Sequence, residues 1–482
     1  MIRKCTHRLC CMMFSLLSNV GVYVFCAFTV YAIPMLAPLL NAPVIGKVIY
    51  YRAILWETER YLITAWGLAL CLLRLQRQTQ CAPVQDRWDL RILAVLIAWL
   101  AVPFTIRFGL TRNVFYSAHD SLLVFFAMYA IASDQTGADR EKIMDVVSAL
   151  FAAMSALVAG TLLYCAVTVQ TFGEFGVVDG HKLCMGMHHN SSGIHALCCV
   201  MMCMIGAARR KSLAGKLLHL IPTAMMTLVV VLTQSRTSRY CLLAALALCA
   251  YGVIAGSGRI RRVVFRHAAG IVVAAAVLVC GYASASMITD AALEHYAYAK
   301  ENVSREPAVS LIAQAKAEEK ETPKKIVVRK ARGAGDMSFT GRTSIWRNVF
   351  KLWKENPKHM VIGFGAGNTG ALITEDTLLE DETAISTHNT YLQYATDFGL
   401  IGFGLMMAFL CMMVPPCVRV FFARNGRVKP GYRVLCAMVV AALLEGMMES
   451  VTLNALSPLN IIMMFSLGLI VSCDRDLKAR SN

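Results

Sequence analysis

The sequence has few charged residues, and acidic residues are the scarcest of them. Asp, Glu, Lys and Arg together make up 16% of the 482 residues, whereas soluble domains carry about 25%. Only 30 acidic residues stand against 47 basic ones, so the formal net charge is +17. Apolar residues reach 57%, and the mean hydropathy is +0.56. This composition excludes a soluble enzyme and a disordered chain, and it indicates an integral membrane protein.

The 18 cysteines lack the spacing of a metal site or a redox site. No two of them are separated by two residues, and most lie inside apolar runs. We therefore interpret them as small buried hydrophobic residues rather than as metal ligands or disulfides.

Long apolar runs predict a polytopic bundle of transmembrane helices. A span needs about 20 largely apolar residues, and twelve segments of this kind are present. They are 12–33, 55–73, 90–106, 118–133, 145–169, 192–208, 217–232, 238–256, 268–288, 398–418, 432–450 and 458–473. Because lipid forces every backbone group to be bonded internally, the predicted fold class is an all-α membrane helical bundle.

The distribution of Lys and Arg orients this bundle. These residues favour the termini and the even-numbered connections over the short opposite loops by about three to one. This bias predicts that both termini are cytoplasmic. The chain then divides into an N-terminal bundle of about nine spans (1–288), one long extracytoplasmic loop (289–397) and three C-terminal spans (398–482).

The long loop has two parts of different character. Residues 300–335 are rich in charge and poor in aromatic residues, which is typical of a flexible segment. Farther on, Trp346, Val349 and Trp353 recur at helical spacing, which predicts an amphipathic helix over about 340–356. Such a helix either lies on the membrane surface or caps the bundle.

Polar residues gather at the exterior ends of the predicted spans. A transporter usually places its polar groups near the middle of the bilayer, on broken helices. The polar clusters of this chain are 180–190, 233–239, 341–346, 386–392 and 445–449. Five such features on one side of the membrane predict a single polar pocket there.

Several motifs in these clusters resemble the O-antigen ligase and O-antigen polymerase superfamily. The motifs are Ser235-Arg236 at the start of a span, His189-Asn190 before another span, Gly341-Arg342 four residues before Trp346, Asn356-Pro357, Gly363-Phe364-Gly365, His388-Asn389 followed by Leu392, and Gly399 with Gly402. The resemblance extends over about 180–470. It implies a GT-C-like membrane glycosyltransferase of cell-surface polysaccharide biosynthesis, acting on polyprenyl-diphosphate-linked glycans at the outer face of the cytoplasmic membrane. The motifs leave ligase and polymerase activity equally open.

Arginine is suited to transfer from a lipid diphosphate. Its planar fork pairs with phosphate oxygens through two N–H groups, and it stays charged. Given the resemblance, Arg236 and Arg342 are the predicted diphosphate ligands, with Arg239 as a further candidate. The alternative for Arg236 and Arg239 is that they extend to the membrane interface; for Arg342 it is a solvated helix end.

His388 is the predicted catalytic base. It follows Ser386 and Thr387, which are plausible N-cap residues, and a helix N-terminus favours the neutral imidazole that a base must be. Glu449, ahead of Glu445, is expected to orient His388 or to bind a sugar hydroxyl. The alternative for Glu449 is an acid held at a helix end by an arginine.

Three further residues, Asn389, His189 and Asn190, are predicted to contact the substrate. Asn389 could equally shape the turn. Adjacent histidines do not easily face one metal ion, and no carboxylate cluster lies beside His188 and His189. No metal and no cofactor are therefore expected.

Two other functions are compatible with the predicted topology. A transporter or flippase of the lipid-linked glycan would also have twelve spans and cytoplasmic termini, and so would a non-catalytic scaffold. Polar groups at the span ends favour the enzyme over the transporter. The expected partners are the polyprenyl-diphosphate donor, a glycan, lipid or cell-wall acceptor and membrane lipids, and no nucleic acid is expected.

Overall fold

The computed structural model describes most of the chain. The described residues are 12–36, 61–76, 89–107, 117–172, 175–178, 181–185, 188–257, 262–303, 340–365, 387–424, 426–449 and 458–480. Ser386 and the predicted flexible segment 300–335, apart from 300–303, lie outside the described residues.

α-Helices make up nearly all of the described chain. In the N-terminal part they are α1 Val20–Leu36, α2 Tyr61–Gln76, α3 Leu90–Arg107, α4 Ser117–Ser133, α5 Gly137–Thr168, α6 His189–Arg209, α7 Leu213–Leu232, α8 Arg236–Ala255 and α9 Val263–Val303. In the C-terminal part they are α10 Thr340–Glu355, α11 Pro357–Ile362, α12 Thr390–Phe422, α13 Pro430–Gly446 and α14 Pro458–Ala479. Three short antiparallel strands in the order β1-β2-β3 connect α5 to α6: β1 Thr171–Phe172, β2 Phe175–Val178 and β3 Lys182–Met185.

The chain is a helical membrane protein, as its composition predicts. Six helices of the described chain, α5 to α9 and α12, are long and apolar enough to cross a membrane. Each of the twelve predicted spans overlaps a helix.

α6 occupies the centre of the bundle and α9 its periphery. In the most apolar part of α6, 83% of the residues are buried inside the protein, against 6% for α9. Most of the apolar surface of α9 therefore faces away from the protein, while α6 packs against other helices. One of these close approaches depends on Gly206 of α6, where an added Cβ would lie 2.0 Å from Cδ2 of His219 on α7.

A break in α12 provides the contact site for the helices α10 and α11. Gly399 has φ 68° and ψ −177°, a conformation that only glycine adopts readily. At this break the backbone N–H groups of Phe364 and Gly365 donate to the carbonyls of Thr396 and Asp397, each at 2.9 Å. The segment after α11 is thereby fixed to α12, and α10 is held over the start of α12.

Candidate active site

A single carboxylate, Glu449, lies at the centre of a polar cluster at one end of the bundle. Its Oε1 accepts hydrogen bonds from Nη2 of Arg342 at 2.8 Å and from Nδ2 of Asn190 at 2.9 Å. Its Oε2 lies 3.2 Å from Nδ1 of His388. Only 7% of the Glu449 side chain is exposed. We call these four residues, Asn190, Arg342, His388 and Glu449, the Glu449 cluster.

The backbone around His388 is unusual. Its φ is 50°, in the left-handed region that few non-glycine residues occupy. The preceding carbonyl, that of Thr387, accepts a hydrogen bond from Nε1 of Trp346 at 2.9 Å, which ties this turn to α10. Strained conformations of this kind concentrate at functional sites.

The helix cap at this turn is Asn389. Its backbone is extended, and its Oδ1 accepts a hydrogen bond from the N–H of Leu392 at 3.0 Å. The prediction that Ser386 or Thr387 caps the helix is wrong, because α12 begins after His388. Nδ2 of Asn389 donates to the carbonyl of Met447 at 3.1 Å. Both polar groups of Asn389 thus hold the turn in place, which supports its alternative role of shaping the turn, and its substrate contact stays a prediction.

The start of α12 also fixes the position of Glu449. The backbone N–H and the hydroxyl of Thr390 both donate to the Glu449 carbonyl, at 3.1 and 2.9 Å. His388 and Glu449 are therefore held on two segments that are bonded to each other, so their contact does not depend on flexible side chains alone.

This geometry selects one tautomer of His388. Ionised carboxylates only accept hydrogen bonds, so contact with Glu449 places the proton on Nδ1 and leaves the lone pair on Nε2. The His388 side chain is 43% exposed, so it is accessible to a substrate hydroxyl. The arrangement suits a general base that is oriented by a carboxylate.

Arg236 lies at the same end of the bundle. Ser235 caps α8 by accepting from the N–H of Ser238 at 3.3 Å, and Arg236 is the first, exposed residue of that helix. A Cβ added at Gly193 of α6 would lie 2.5 Å from Oγ of Ser238. The first turn of α8 thus packs on the first turns of α6, one turn away from Asn190.

Arg239 is not part of the Glu449 cluster. Its Nη2 donates to Oγ1 of Thr289 at 3.0 Å and to the carbonyl of Val231 at 3.4 Å. The guanidinium joins α8 to α9 and to the end of α7, and its role as a further diphosphate ligand stays a prediction.

His189 and Asn190 belong to the first turn of α6 and do not precede it. His188 is the N-cap residue, and its Nδ1 lies 3.4 Å from the N–H of Asn190. The ring of His189 lies 4.1 Å from the ring of His188, centroid to centroid. The side-chain amide of Asn190 donates to Glu449 and helps to orient it. The predicted role of Asn190 in substrate binding does not include this contact.

Glu445, the second candidate carboxylate, is fully buried one turn before Glu449. Glu449, and not Glu445, makes the contact with His388.

The small sheet that contributes to the site has only a weak signal in the sequence. The three-stranded sheet is tied to the turn before α8, since Nε2 of Gln234 donates to the carbonyl of His181. Gln234 itself has φ 56°. Trp346 acts through its indole N–H, and a buried tryptophan N–H usually needs such an acceptor.

In the described chain no three His, Cys, Asp or Glu side chains form a group that could hold a metal ion.

The fold and the site together define a polytopic membrane protein with an arginine, a histidine and a shared carboxylate at one end of its helical bundle. Residues 221–407 match the family model described as O-antigen ligase. The match confirms the resemblance to the O-antigen ligase and polymerase superfamily, and it supports a membrane glycan ligase or polymerase role with glycosyltransferase-like activity. It includes Arg236, Arg342 and His388. No curated protein matches the chain significantly.

Proposed function

We propose that the protein is a membrane glycosyltransferase that transfers or polymerises polyprenyl-diphosphate-linked glycan at the outer face of the cytoplasmic membrane. The observation that carries this proposal is the contact of one carboxylate, Glu449, with both Arg342 and His388. A ligand for the leaving diphosphate and an oriented base for the acceptor are thereby held in one cluster.

In this proposal all twelve predicted spans cross the membrane, and both ends of the chain are cytoplasmic. The Glu449 cluster then faces the exterior, because α6, α8 and α12 each begin beside it. The excess of Lys and Arg in the opposite connections supports this orientation.

Arg236 and Arg342 bind the diphosphate of the donor. Each lies in the first turns of its helix, α8 and α10 respectively. The N-terminal ends of α6, α8 and α12 lie in the same region, and helix N-termini attract phosphate through their N–H groups and their dipoles. Glu449 is the only acidic side chain of the Glu449 cluster, and Arg236 and Arg342 together carry two positive charges against it, so these residues favour an anionic ligand.

His388 activates the acceptor. Nε2 takes the proton of an acceptor hydroxyl as the hydroxyl oxygen bonds to the anomeric carbon of the donor sugar. The bond from that carbon to the diphosphate oxygen breaks, and polyprenyl diphosphate leaves with the electron pair. A single displacement inverts the anomeric configuration. Arg236 and Arg342 stabilise the charge on the leaving group, so the reaction is proposed to need no metal ion.

The partners in this proposal are a polyprenyl-diphosphate-linked oligosaccharide, undecaprenyl diphosphate being the bacterial carrier in the family resemblance, and an acceptor. The acceptor is a second lipid-linked glycan for a polymerase, and a lipid or cell-wall polymer for a ligase. Either reaction would serve the construction of the cell envelope.

The test is glycan transfer in reconstituted vesicles that contain the full chain and a polyprenyl-diphosphate oligosaccharide, with EDTA present. His388→Ala should reduce transfer by about 10²- to 10⁴-fold, the usual contribution of a general base. His295→Ala is the matched control, because His295 lies at the exterior end of α9, where its Nε2 contacts the carbonyl of Val167 at 2.9 Å. It should keep full activity.

Each outcome of this assay discriminates between functions. Products lengthened by repeat units indicate a polymerase, and a single transfer to an added acceptor indicates a ligase. Normal transfer by His388→Ala would refute the assignment of the base, and loss of transfer with EDTA would refute metal independence. Movement of donor across the bilayer without a new glycosidic bond would refute the enzyme in favour of a transporter.

A further inference from the structure

At the end of the bundle opposite the Glu449 cluster, the described acidic residues form ion pairs within the protein. α8 and α12 run from the cluster to this end. The pairs there are Arg74–Asp134, Arg91–Asp89, Arg140–Asp476, Lys142–Asp139, Arg209–Glu141, Arg209–Asp145, Arg210–Asp145, Arg419–Asp474, Lys429–Glu141 and Lys478–Asp474. Every acidic residue described at this end is therefore neutralised by a cation of the protein itself.

Other cations at this end form no ion pair within the described parts of the chain. They are Lys211, Lys216, Arg262, Arg266, Arg424, Arg427 and Arg480. Their charge is left to attract an external anion.

Some of these arginines are close in sequence to the residues that join α8, α9 and α12 at one corner. The hydroxyl of Tyr251 on α8 lies 2.7 Å from Nδ1 of His267 on α9. The His267 ring lies 6.2 Å from the ring of Phe422, the last residue of α12. Arg266 precedes His267 directly, and Arg424 follows Phe422 by two residues. Each of these arginines thus lies within two positions of a residue whose ring packs at this corner.

Exposed apolar side chains surround the same corner. Val264 and Phe265 on the first turn of α9 are 78% and 60% exposed, and Phe422 is 50% exposed. Cζ of Arg262 lies 5.9 Å above the ring of Phe265. Cations thus stand directly beside apolar surface at the end of membrane-spanning helices, where lipid headgroups and acyl chains meet.

We propose that this arginine corner, formed by Arg262, Arg266 and Arg424, binds an anionic phospholipid. The phosphate pairs with the guanidinium groups, and the acyl chains lie along Val264 and Phe265. Several cations at one end of membrane helices attract an anionic headgroup, and the exposed apolar side chains beside them favour a lipid over an acidic protein. The proposal rests on the membrane fold and the charge distribution, not on the proposed catalytic function.

The experiment measures lipid affinity of the purified full chain in non-ionic detergent micelles. The probes are phosphatidylglycerol and phosphatidylcholine with identical acyl chains, and retained lipid is read by native mass spectrometry. Arg262→Gln/Arg424→Gln removes two charges at the corner. Lys211→Gln/Lys216→Gln removes the same charge at the connection of α6 to α7 and is the matched control.

Wild type should bind phosphatidylglycerol more tightly than phosphatidylcholine. The double arginine variant should lose about 30-fold in affinity, as expected for two cations near a charged headgroup, and the double lysine variant should stay within about twofold of wild type. Equal affinity for the two lipids, or equal losses in the two variants, would overturn the proposal.

Two further probes separate the lipid from other anions. Inorganic phosphate that binds as tightly as phosphatidylglycerol would overturn the lipid as the occupant. A polyglutamate peptide that binds more tightly than either lipid would overturn it in favour of an acidic protein. The comparison of the two lipids uses wild type alone, so the proposal stays open to refutation even where a variant fails to fold.

Discussion

Replacing Glu449 by Gln removes one charge from the centre of the Glu449 cluster and keeps the size of the side chain. The carboxylate serves three partners, Arg342 at 2.8 Å, Asn190 at 2.9 Å and His388 at 3.2 Å. An amide has one accepting oxygen, and its NH₂ group donates. The NH₂ group of the substituted side chain would therefore meet either the His388 Nδ1–H or the donors of Arg342 and Asn190, and one contact must be lost.

The expected cost follows from these contacts. A hydrogen bond to a charged group contributes about 1.5–3 kcal/mol. Arg342 is 24% exposed and His388 43% exposed, so solvent screens the charges and the lower part of this range applies. We expect the free energy of unfolding to fall by about 2 kcal/mol. Turnover should fall by about 10²-fold, the upper end for a residue that orients a reacting side chain, because the His388 ring loses the carboxylate that selects its tautomer.

The assay is the initial rate of glycan transfer over a range of donor concentrations, combined with thermal unfolding in detergent micelles. Glu355→Gln is the matched control, because Glu355 is the exposed last residue of α10. It should change neither kcat nor stability. A wild-type kcat for Glu449→Gln would refute the role of Glu449 in orienting His388, even if the variant were less stable.

Three further substitutions test the fold and the donor site. Gly399→Ala should lower the free energy of unfolding by about 3 kcal/mol or more, since a Cβ at this strained φ would lie 2.1 Å from the Val361 carbonyl oxygen; wild-type thermal stability would contradict this. Gly206→Ala should cost about 1–3 kcal/mol by collision with His219, and the cost should shrink in the double variant with His219→Ala, measured by the same unfolding assay. Arg342→Lys keeps the charge but not the bidentate fork, so the KM for donor should rise about tenfold with a smaller change in kcat; an unchanged KM would remove Arg342 from the donor site.

The existence of the helices was predictable from the sequence because the bilayer sets the length of each apolar run. Their full extent was not predictable. α5 begins at Gly137, although the apolar run predicts a start near 145. The added turns contain Arg140, whose guanidinium donates to Ser472 at 2.8 Å and to Asp476 at 2.9 Å. Charges that pair within the bundle extend a helix past its apolar run, and hydropathy does not report such pairing.

The small sheet between α5 and α6 has almost no periodic signal. Its strands contain only two to four residues, which is too short for an alternating pattern to be recognised. Gly176 in β2 has φ 110°, a backbone conformation that favours glycine.

The candidate site was predictable in its residue types but not in its pairings. The side chains of Asn190 and Glu449 are in contact although 259 positions separate them in the chain, and no local pattern carries that information. At the start of α12 the sequence suggested Ser386 or Thr387 as the cap, whereas the helix begins two residues after the left-handed residue His388 and is capped by Asn389. The sequence indicates the candidate residues, whereas the packing of α6, α10 and α12 determines which of them are in contact.

The sharing of Glu449 between Arg342 and His388 has a consequence for the order of events in the proposed reaction. An arginine presents five N–H donors, and one Nη2 contact is enough to hold Glu449. Arg342 can therefore bind a diphosphate without releasing the carboxylate, so His388 keeps its orientation when the donor binds. The donor brings the negative charge that balances Arg236 and Arg342, and Glu449 then balances His388 as the imidazole takes up the proton of the acceptor. In this proposal the buried carboxylate of Glu449 holds Arg342 before transfer and stabilises the protonated His388 during transfer. The activity of this site should therefore depend on the charge of Glu449 more than on its size.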